Sequence, residues 1–179
     1  SDELKSKIDK FLKFYNQIFS TYIKDSELSK INQSQFDNMK ISDSMVKILE
    51  LSREISNKTE GYFDITVGPL VNLWGFGPDG KQKIPSEEVI KEKMSLIGYH
   101  KVKIKDERLH RPVGMYIDLS AIAKGFGVDE LVKFLEYSGH SQLLVEIGGE
   151  VRTRGLKPDG SNWNVGIEGP SSKLGQKLA

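Results

Sequence analysis

Gly61-Tyr62-Phe63-Asp64-Ile65-Thr66-Val67-Gly68-Pro69-Leu70-Val71-Asn72-Leu73-Trp74-Gly75-Phe76-Gly77-Pro78 is the stretch on which the reading of this chain turns. It gathers glycines, prolines and aromatic rings around one carboxylate and one threonine hydroxyl, with little helical or strand periodicity. Glycine opens backbone conformations closed to other residues and lets a backbone approach a ligand. Proline fixes φ and removes a donor. An apolar segment so punctuated predicts an ordered, partly buried loop. Ordered loops on a rigid scaffold often carry function. The same composition also suits a loop that only fills a core, and the residues alone leave both readings open.

On either side of this loop the pattern is mixed α and β. Leu4, Ile8, Phe11, Leu12, Tyr15, Ile18, Phe19 and Tyr22 recur at helical spacing. Ser42 is placed to cap a second helix whose apolar face carries Met45, Ile48, Leu49 and Ile55, and Gly61 sits where a left-handed cap would end it. Ser86 opens a third helix, with Glu87 and Glu88 in its first turn, Val89, Ile90, Met94 and Ile97 on its apolar face, and Gly98 as its expected end. Residues 101–105 alternate as a half-exposed strand should. Residues 116–119 predict a buried strand, 121–137 a helix, and 143–145 a further strand. Residues 151–154 and 163–167 predict a hairpin across Lys157-Pro158-Asp159-Gly160. The last residues, 169–179, suggest no closing element. No internal repeat or interdomain linker is visible.

The chain has 179 residues, enough for one domain with a sizeable core. Lys and Arg number 26 against 25 Asp and Glu, for a net charge of +1. That balance argues against a nucleic-acid partner. Lysines cluster between residues 81 and 105, but interleaved glutamates mark a solvated face. There is no cysteine, which excludes disulfides, thiolate metal sites and cysteine nucleophiles. No apolar run approaches a membrane span. The chain opens at Ser1 rather than Met, as it would after removal of a leader.

Two places suggest chemistry. Asp118 ends an apolar run just before a helix, and loops after strand ends are common ligand sites in α/β layouts. Amides at that helix start, with Lys124 one turn in, could receive an anion. In the plainer alternative Asp118 only caps the helix and Lys124 points into water. Tyr22, Tyr62, Phe63 and Trp74 could offer stacking surface to a flat aromatic ligand, or simply pack the core. Gly148-Gly149 reads as a bend or bulge in a sheet more readily than as a phosphate loop. His100, His110 and His140 lie in polar or turn-like contexts and suggest surface residues.

Four ordered stretches together resemble the ApbE family, the FAD:protein FMN transferases. They are Ser20-Thr21-Tyr22-Ile23-Lys24-Asp25-Ser26-Glu27-Leu28, the loop quoted above, Tyr116-Ile117-Asp118-Leu119-Ser120-Ala121-Ile122-Ala123-Lys124-Gly125-Phe126-Gly127-Val128-Asp129, and Leu144-Val145-Glu146-Ile147-Gly148-Gly149-Glu150-Val151-Arg152 with Trp163-Asn164-Val165-Gly166-Ile167 beyond it. The resemblance implies an α+β fold, with mixed sheets packed with helices in a T-fold-like flavin transferase domain. Residues 1–179 would be its N-terminal and central part, incomplete at both ends. The family's Met-Gly-Thr strand, His-x-x-Asp-Pro segment and late Asp/Thr metal motif are expected outside this sequence, so residues 1–179 alone are expected to transfer no FMN at a useful rate.

By the same resemblance Tyr22, Tyr62, Phe63, Asp64, Asp118 and Lys124 are flavin-contacting positions. Ala121 corresponds to a metal-binding position and could bind Mg²⁺ only through its carbonyl oxygen. The implied reaction moves FMN from FAD to a Thr or Ser hydroxyl of an acceptor protein, a subunit of a membrane flavin redox complex, and releases AMP. No general base is assigned. An FAD pyrophosphatase and a non-catalytic flavin-binding protein are the alternatives. The implied location is the periplasmic side of a bacterial inner membrane, through a lipid anchor not present in this sequence.

Overall fold

A computed structural model describes residues 2–76, 84–168 and 177–178. The Lys81–83 part of the basic cluster, Gly77-Pro78 of the opening loop and most of the last segment lie outside the described residues. The chain forms two compact units, residues 1–126 and 127–179.

The first unit begins with α1 (Asp2–Phe19), whose apolar stripe ends in buried Ile18 and Phe19. Tyr22 falls beyond the helix and is exposed. Helix α2 (Glu27–Gln33) starts where the Ser26 hydroxyl accepts the Ser29 N–H at 3.0 Å. Its Glu27 carboxylate reaches across to accept both the Ser42 N–H (2.7 Å) and the Ser42 hydroxyl (2.6 Å). Ser42 in turn caps α3 (Asp43–Lys58) by accepting the Met45 N–H. A side chain from one helix therefore orients the cap of the next.

Helix α3 ends one residue earlier than its glycine suggests. Glu60 takes the left-handed position (φ 53°) and Gly61 follows at φ 85°. The Gly61 N–H returns to Ser56 O and the Glu60 N–H to Asn57 O, which satisfies carbonyls the helix leaves open.

A small antiparallel sheet has the order β1 (Asn38–Lys40), β3 (Arg108–His110), β2 (Lys103–Lys105). The strand expected over 101–105 is thus shorter, because residues 99–101 form a 3₁₀ turn. Helix α5 (Glu87–Met94) starts after Ser86 as expected but stops before Ile97 and Gly98, and Met94 on its expected apolar face is exposed. Leu28, Ile31, Met45, Ile48, Leu109, Met115, Ile117 and Leu119 are among the fully buried side chains of one continuous core. Burying each contributes roughly 1.5–3 kcal/mol relative to leaving it in water.

Arg111 is 3% exposed, and among the described residues no carboxylate pairs with it. Its guanidinium donates to the carbonyls of Ile31, Ser34 and Pro112 and so closes the C-terminal end of α2. Burial pushes its pKa down from the ordinary arginine range.

The second unit contains the rear of α6 (Ser120–Tyr137), which buries Val128, Leu131, Val132 and Leu135. Strands β4 (Leu143–Ile147) and β5 (Glu150–Arg154) form a hairpin, and Val145 is buried on it. Gly148 (φ 58°) and Gly149 (φ 96°) are its two-residue turn. A primed turn of this kind needs positive φ at both central residues and matches the twist of the strands, which accounts for the paired glycines. Asp129 and Glu136 of α6 bind Arg152 and Arg154 of β5, and the Asp129 carboxylate pushes the Arg152 pKa up.

The hairpin expected between 151–154 and 163–167 does not form. Strand β5 pairs with β4, and residues 163–166 are not in a strand. The Trp163 indole N–H donates to Arg154 O on β5 at 3.2 Å. Residues 157–160 do make the expected turn, through Gly160 N–H to Lys157 O. Beyond the hairpin, β6 (Ile167–Glu168) pairs antiparallel with β7 (Lys177–Leu178). No helix among the described residues is long and apolar enough to cross a membrane.

Candidate functional site

Residues 61–76 fold as a locked turn followed by a short helix. The Tyr62 N–H donates to Thr59 O (2.9 Å) and the Phe63 N–H to the Thr59 hydroxyl (3.1 Å). Asp64 then uses both carboxylate oxygens within the protein. Oδ1 accepts the Thr66 N–H (2.8 Å) and the Thr66 hydroxyl (2.6 Å), while Oδ2 accepts the Tyr99 N–H (2.9 Å). The buried Thr66 oxygen also accepts the Gly98 N–H at 2.8 Å. Asp64 and Thr66 thereby fasten the loop to the turn at 98–99.

Helix α4 (Gly68–Leu73) follows, with Pro69 in its first turn, where a missing N–H costs nothing. It closes through Gly75 (φ 81°), with Phe76 N–H returning to Val71 O and Gly75 N–H to Asn72 O. The glycine-rich loop thus contains a helical turn that its lack of periodicity concealed.

The segment before α6 comes alongside. Residues 116–119 carry buried Ile117 and Leu119, but among the described residues they join no ladder. Two other partners replace the expected strand neighbours. Asn32 of α2 donates its amide to Ile117 O and accepts the Ile117 N–H, both at 2.8 Å. The next amide, Asp118 N–H, donates to Ile65 O at 2.7 Å. Gly68 packs so closely here that a Cβ on it would stand 2.5 Å from the Tyr116 ring and 3.3 Å from Asp118 Cβ. The two motif segments are therefore neighbours in space.

Asp118 Oδ1 accepts the Ser120 N–H at 2.8 Å at the start of α6. Ala121 and Lys124, in the first turns of that helix, are both exposed. That hydrogen bond leaves the carboxylate half-buried beside the loop.

Tyr62 is 95% exposed, and Tyr22 is 76% exposed in the α1–α2 connection, its N–H bound to the Ser20 hydroxyl. Trp74 and Phe76 are exposed as well. Phe63 is different. It is half-buried and packs against the main core. Of the seven expected positions, residues 62–64, Asp118, Ala121 and Lys124 belong to two adjoining segments, while Tyr22 belongs to a third. Pro69, Asn72 and Leu73 of α4 face Lys93, Leu96 and Tyr116 across an open cleft of about 350 Å³ next to these segments. That volume lies in the range of small-molecule sites.

Metal ligation is a separate matter. Among the described residues no three His, Asp or Glu side chains converge on one point. Ala121 brings no side-chain ligand. The described residues do not by themselves fit Mg²⁺, and no chemical step is assigned to it. His100 and His140 are exposed as expected, whereas His110 is half-buried on β3.

Sequence reasoning missed Asn32, Thr66 and Gly68 as supports of this site. Thr66 two residues after an Asp was a local signal of a hydroxyl–carboxylate turn. Asn32 had no signal, since its partner is 85 residues away.

Comparison with known proteins gives the family. A model described as "ApbE family" matches residues 2–179. The FAD:protein FMN transferase of Vibrio cholerae is 40% identical over 174 residues, covering 96% of this chain and 52% of that protein. The protein of that name from Escherichia coli K12 is 38% identical over 180 residues, covering 97% of this chain and 51% of that one. The solved flavin transferase ApbE from Vibrio cholerae superposes with a TM-score of 0.90 at 39% identity, over 95% of this chain and 56% of that one. The apo flavinyl transferase ApbE of Pseudomonas stutzeri gives a TM-score of 0.90 at 33% identity, over 96% and 56%. The chain spans about half the length of the curated relatives it matches. A family match along nearly its whole length, with the same α+β fold at these identities, means that this chain belongs to the ApbE family.

Proposed function

We propose that the protein transfers FMN from FAD to a hydroxyl of an acceptor protein. The observation that carries this is the junction of residues 62–68 with residues 116–120. A locked turn carries a nearly fully exposed aromatic ring, Tyr62, and the Ile65 carbonyl of the same loop accepts the N–H of Asp118, whose carboxylate sits at the start of a helix. An exposed ring on a rigid loop suits a flat heterocycle. Backbone amides at a helix start suit phosphate oxygens. FAD carries both groups.

In this reading Tyr62, Phe63, Asp64, Asp118 and Lys124 form one wall of the FAD site, and Tyr22 adds a further aromatic surface. Asp64 acts through the loop it holds, because both its oxygens accept protein donors. The wall holds the dinucleotide in one pose, which lowers the entropic cost of bringing its phosphate to the incoming hydroxyl. A Thr or Ser oxygen of the acceptor attacks the FMN-side phosphorus. The pyrophosphate P–O bond breaks, AMP leaves, and the hydroxyl proton is given up. Dependence on Mg²⁺, bound in part by the Ala121 carbonyl, rests on the family resemblance alone. So do acceptor subunits of membrane flavin redox complexes and a lipid-anchored, periplasmic location. Sequencing of the natural N-terminus tests the location, and a precursor without an export signal contradicts it.

Incubating the full-length protein with FAD, Mg²⁺ and an acceptor protein tests the reaction. Covalently flavinylated acceptor with AMP is expected. Free FMN with AMP identifies a pyrophosphatase, and intact FAD a binding protein.

A further inference from the structure

We propose that Asn32 is a positioning residue for the flavin site, holding residues 117–118 at the register that the site needs. The inference rests on the flavin reading of Asp118 given above.

The segment at 116–119 carries buried Ile117 and Leu119, and among the described residues no strand pairs with it. A buried backbone with open N–H and C=O groups is costly, so each must find a partner. The Asn32 side chain meets both groups of Ile117 at once, donating from Nδ2 to the carbonyl and accepting at Oδ1 from the N–H, each at 2.8 Å. A carboxamide presents one donor and one acceptor side by side, as a peptide group does. Asn32 thus does the work of a neighbouring strand with a single side chain.

The consequence reaches the site through one peptide. Once Ile117 is held on the α2 side, the Asp118 N–H points to Ile65 O on the loop side. The chain is clamped from two directions just before the helix, and the Asp118 carboxylate is aimed by that clamp. Asn32 itself is anchored, since α2 is capped at its start by Ser26 and closed at its end by buried Arg111. Losing the side chain frees the Ile117 peptide to rotate, and with it Asp118.

Asparagine is specific here. An ionised carboxylate at this position still accepts the Ile117 N–H but sets a negative oxygen against the Ile117 carbonyl. A protonated carboxyl again donates and accepts. Asn32→Asp therefore makes the clamp depend on pH, which a general packing defect would not do. The half-buried setting and the facing Ile117 carbonyl favour the protonated form of that carboxyl, against the pull of the Arg111 guanidinium near the same end of α2, so recovery is expected on acidification.

The test measures FAD affinity by calorimetry for the full-length wild type, Asn32→Asp and Asn32→Ala, at pH 8 and again near pH 5. At pH 8 both variants should bind FAD about tenfold or more weakly, as expected for a lost pair of buried hydrogen bonds. On acidification Asn32→Asp should regain most of that loss relative to wild type, and Asn32→Ala none. Wild-type affinity in either variant at pH 8 overturns the proposal, and so does an Asn32→Asp loss that acid leaves unchanged. A wild type that binds no FAD overturns the flavin reading itself, and this proposal with it.

Discussion

The backbone N–H of Asp118 donates to the carbonyl of Ile65 at 2.7 Å, joining two segments more than fifty residues apart in the sequence. One hydrogen bond of this kind adds little stability by itself. Its importance is geometric. It sets the start of α6 against a turn whose own shape is fixed by Asp64 and Thr66, so the position of Asp118 depends on side chains that never touch it.

Thr66→Val tests that dependence. The valine keeps the shape but loses the oxygen that donates to Asp64 and accepts from the Gly98 N–H. A buried amide is left without a partner, at a cost of about 1–3 kcal/mol. Urea denaturation should show that loss, and Thr66→Ser should restore most of it. Equal stability of wild type and Thr66→Val would mean that the hydroxyl holds nothing.

Tyr62→Ala should behave in the opposite way. With the ring 95% exposed, its removal should change stability by no more than about 0.5 kcal/mol. FAD affinity should nevertheless fall about two- to tenfold, the range expected for one aromatic contact. A variant that melts early but binds normally would assign the ring to the fold rather than to the ligand.

Gly68→Ala probes the close approach between the segments. Its new Cβ would meet the Tyr116 ring at 2.5 Å, so ring or loop must shift. Overpacking of this kind costs about 1–3 kcal/mol. A lower denaturation midpoint together with weaker FAD binding is the expected pair of results, and an unchanged midpoint would show that the ring simply swings aside.

These contacts explain which features were legible in the sequence. Helices α1, α3 and α6 could be read because their apolar stripes repeat over three or more turns, and Ser42 caps α3 as its position suggests. Helix α4 could not, because six residues are too few for a stripe and its start is a Gly-Pro pair. Residues 116–119 have the composition of a strand, but among the described residues no strand pairs with them, and Asn32 and Ile65 take the Ile117 N–H and C=O and the Asp118 N–H. At the site, motif resemblance pointed to the segments, and the two around residues 64 and 118 do adjoin. Individual roles stayed hidden. Asp64 looks like a ligand contact in sequence, and only the fold shows one of its oxygens held by Thr66 and the other by the Tyr99 N–H.

The most direct measurement of the central claim is a calorimetric titration of FAD into the full-length protein and into its Asp118→Ala variant. If residues 62–68 and 116–120 form the wall of a flavin site, the wild type binds FAD. The variant, still folded by circular dichroism, should then bind about tenfold or more weakly, as for a lost hydrogen bond to a charged group. Equal affinity of the two proteins, or no binding to the wild type, would contradict the account.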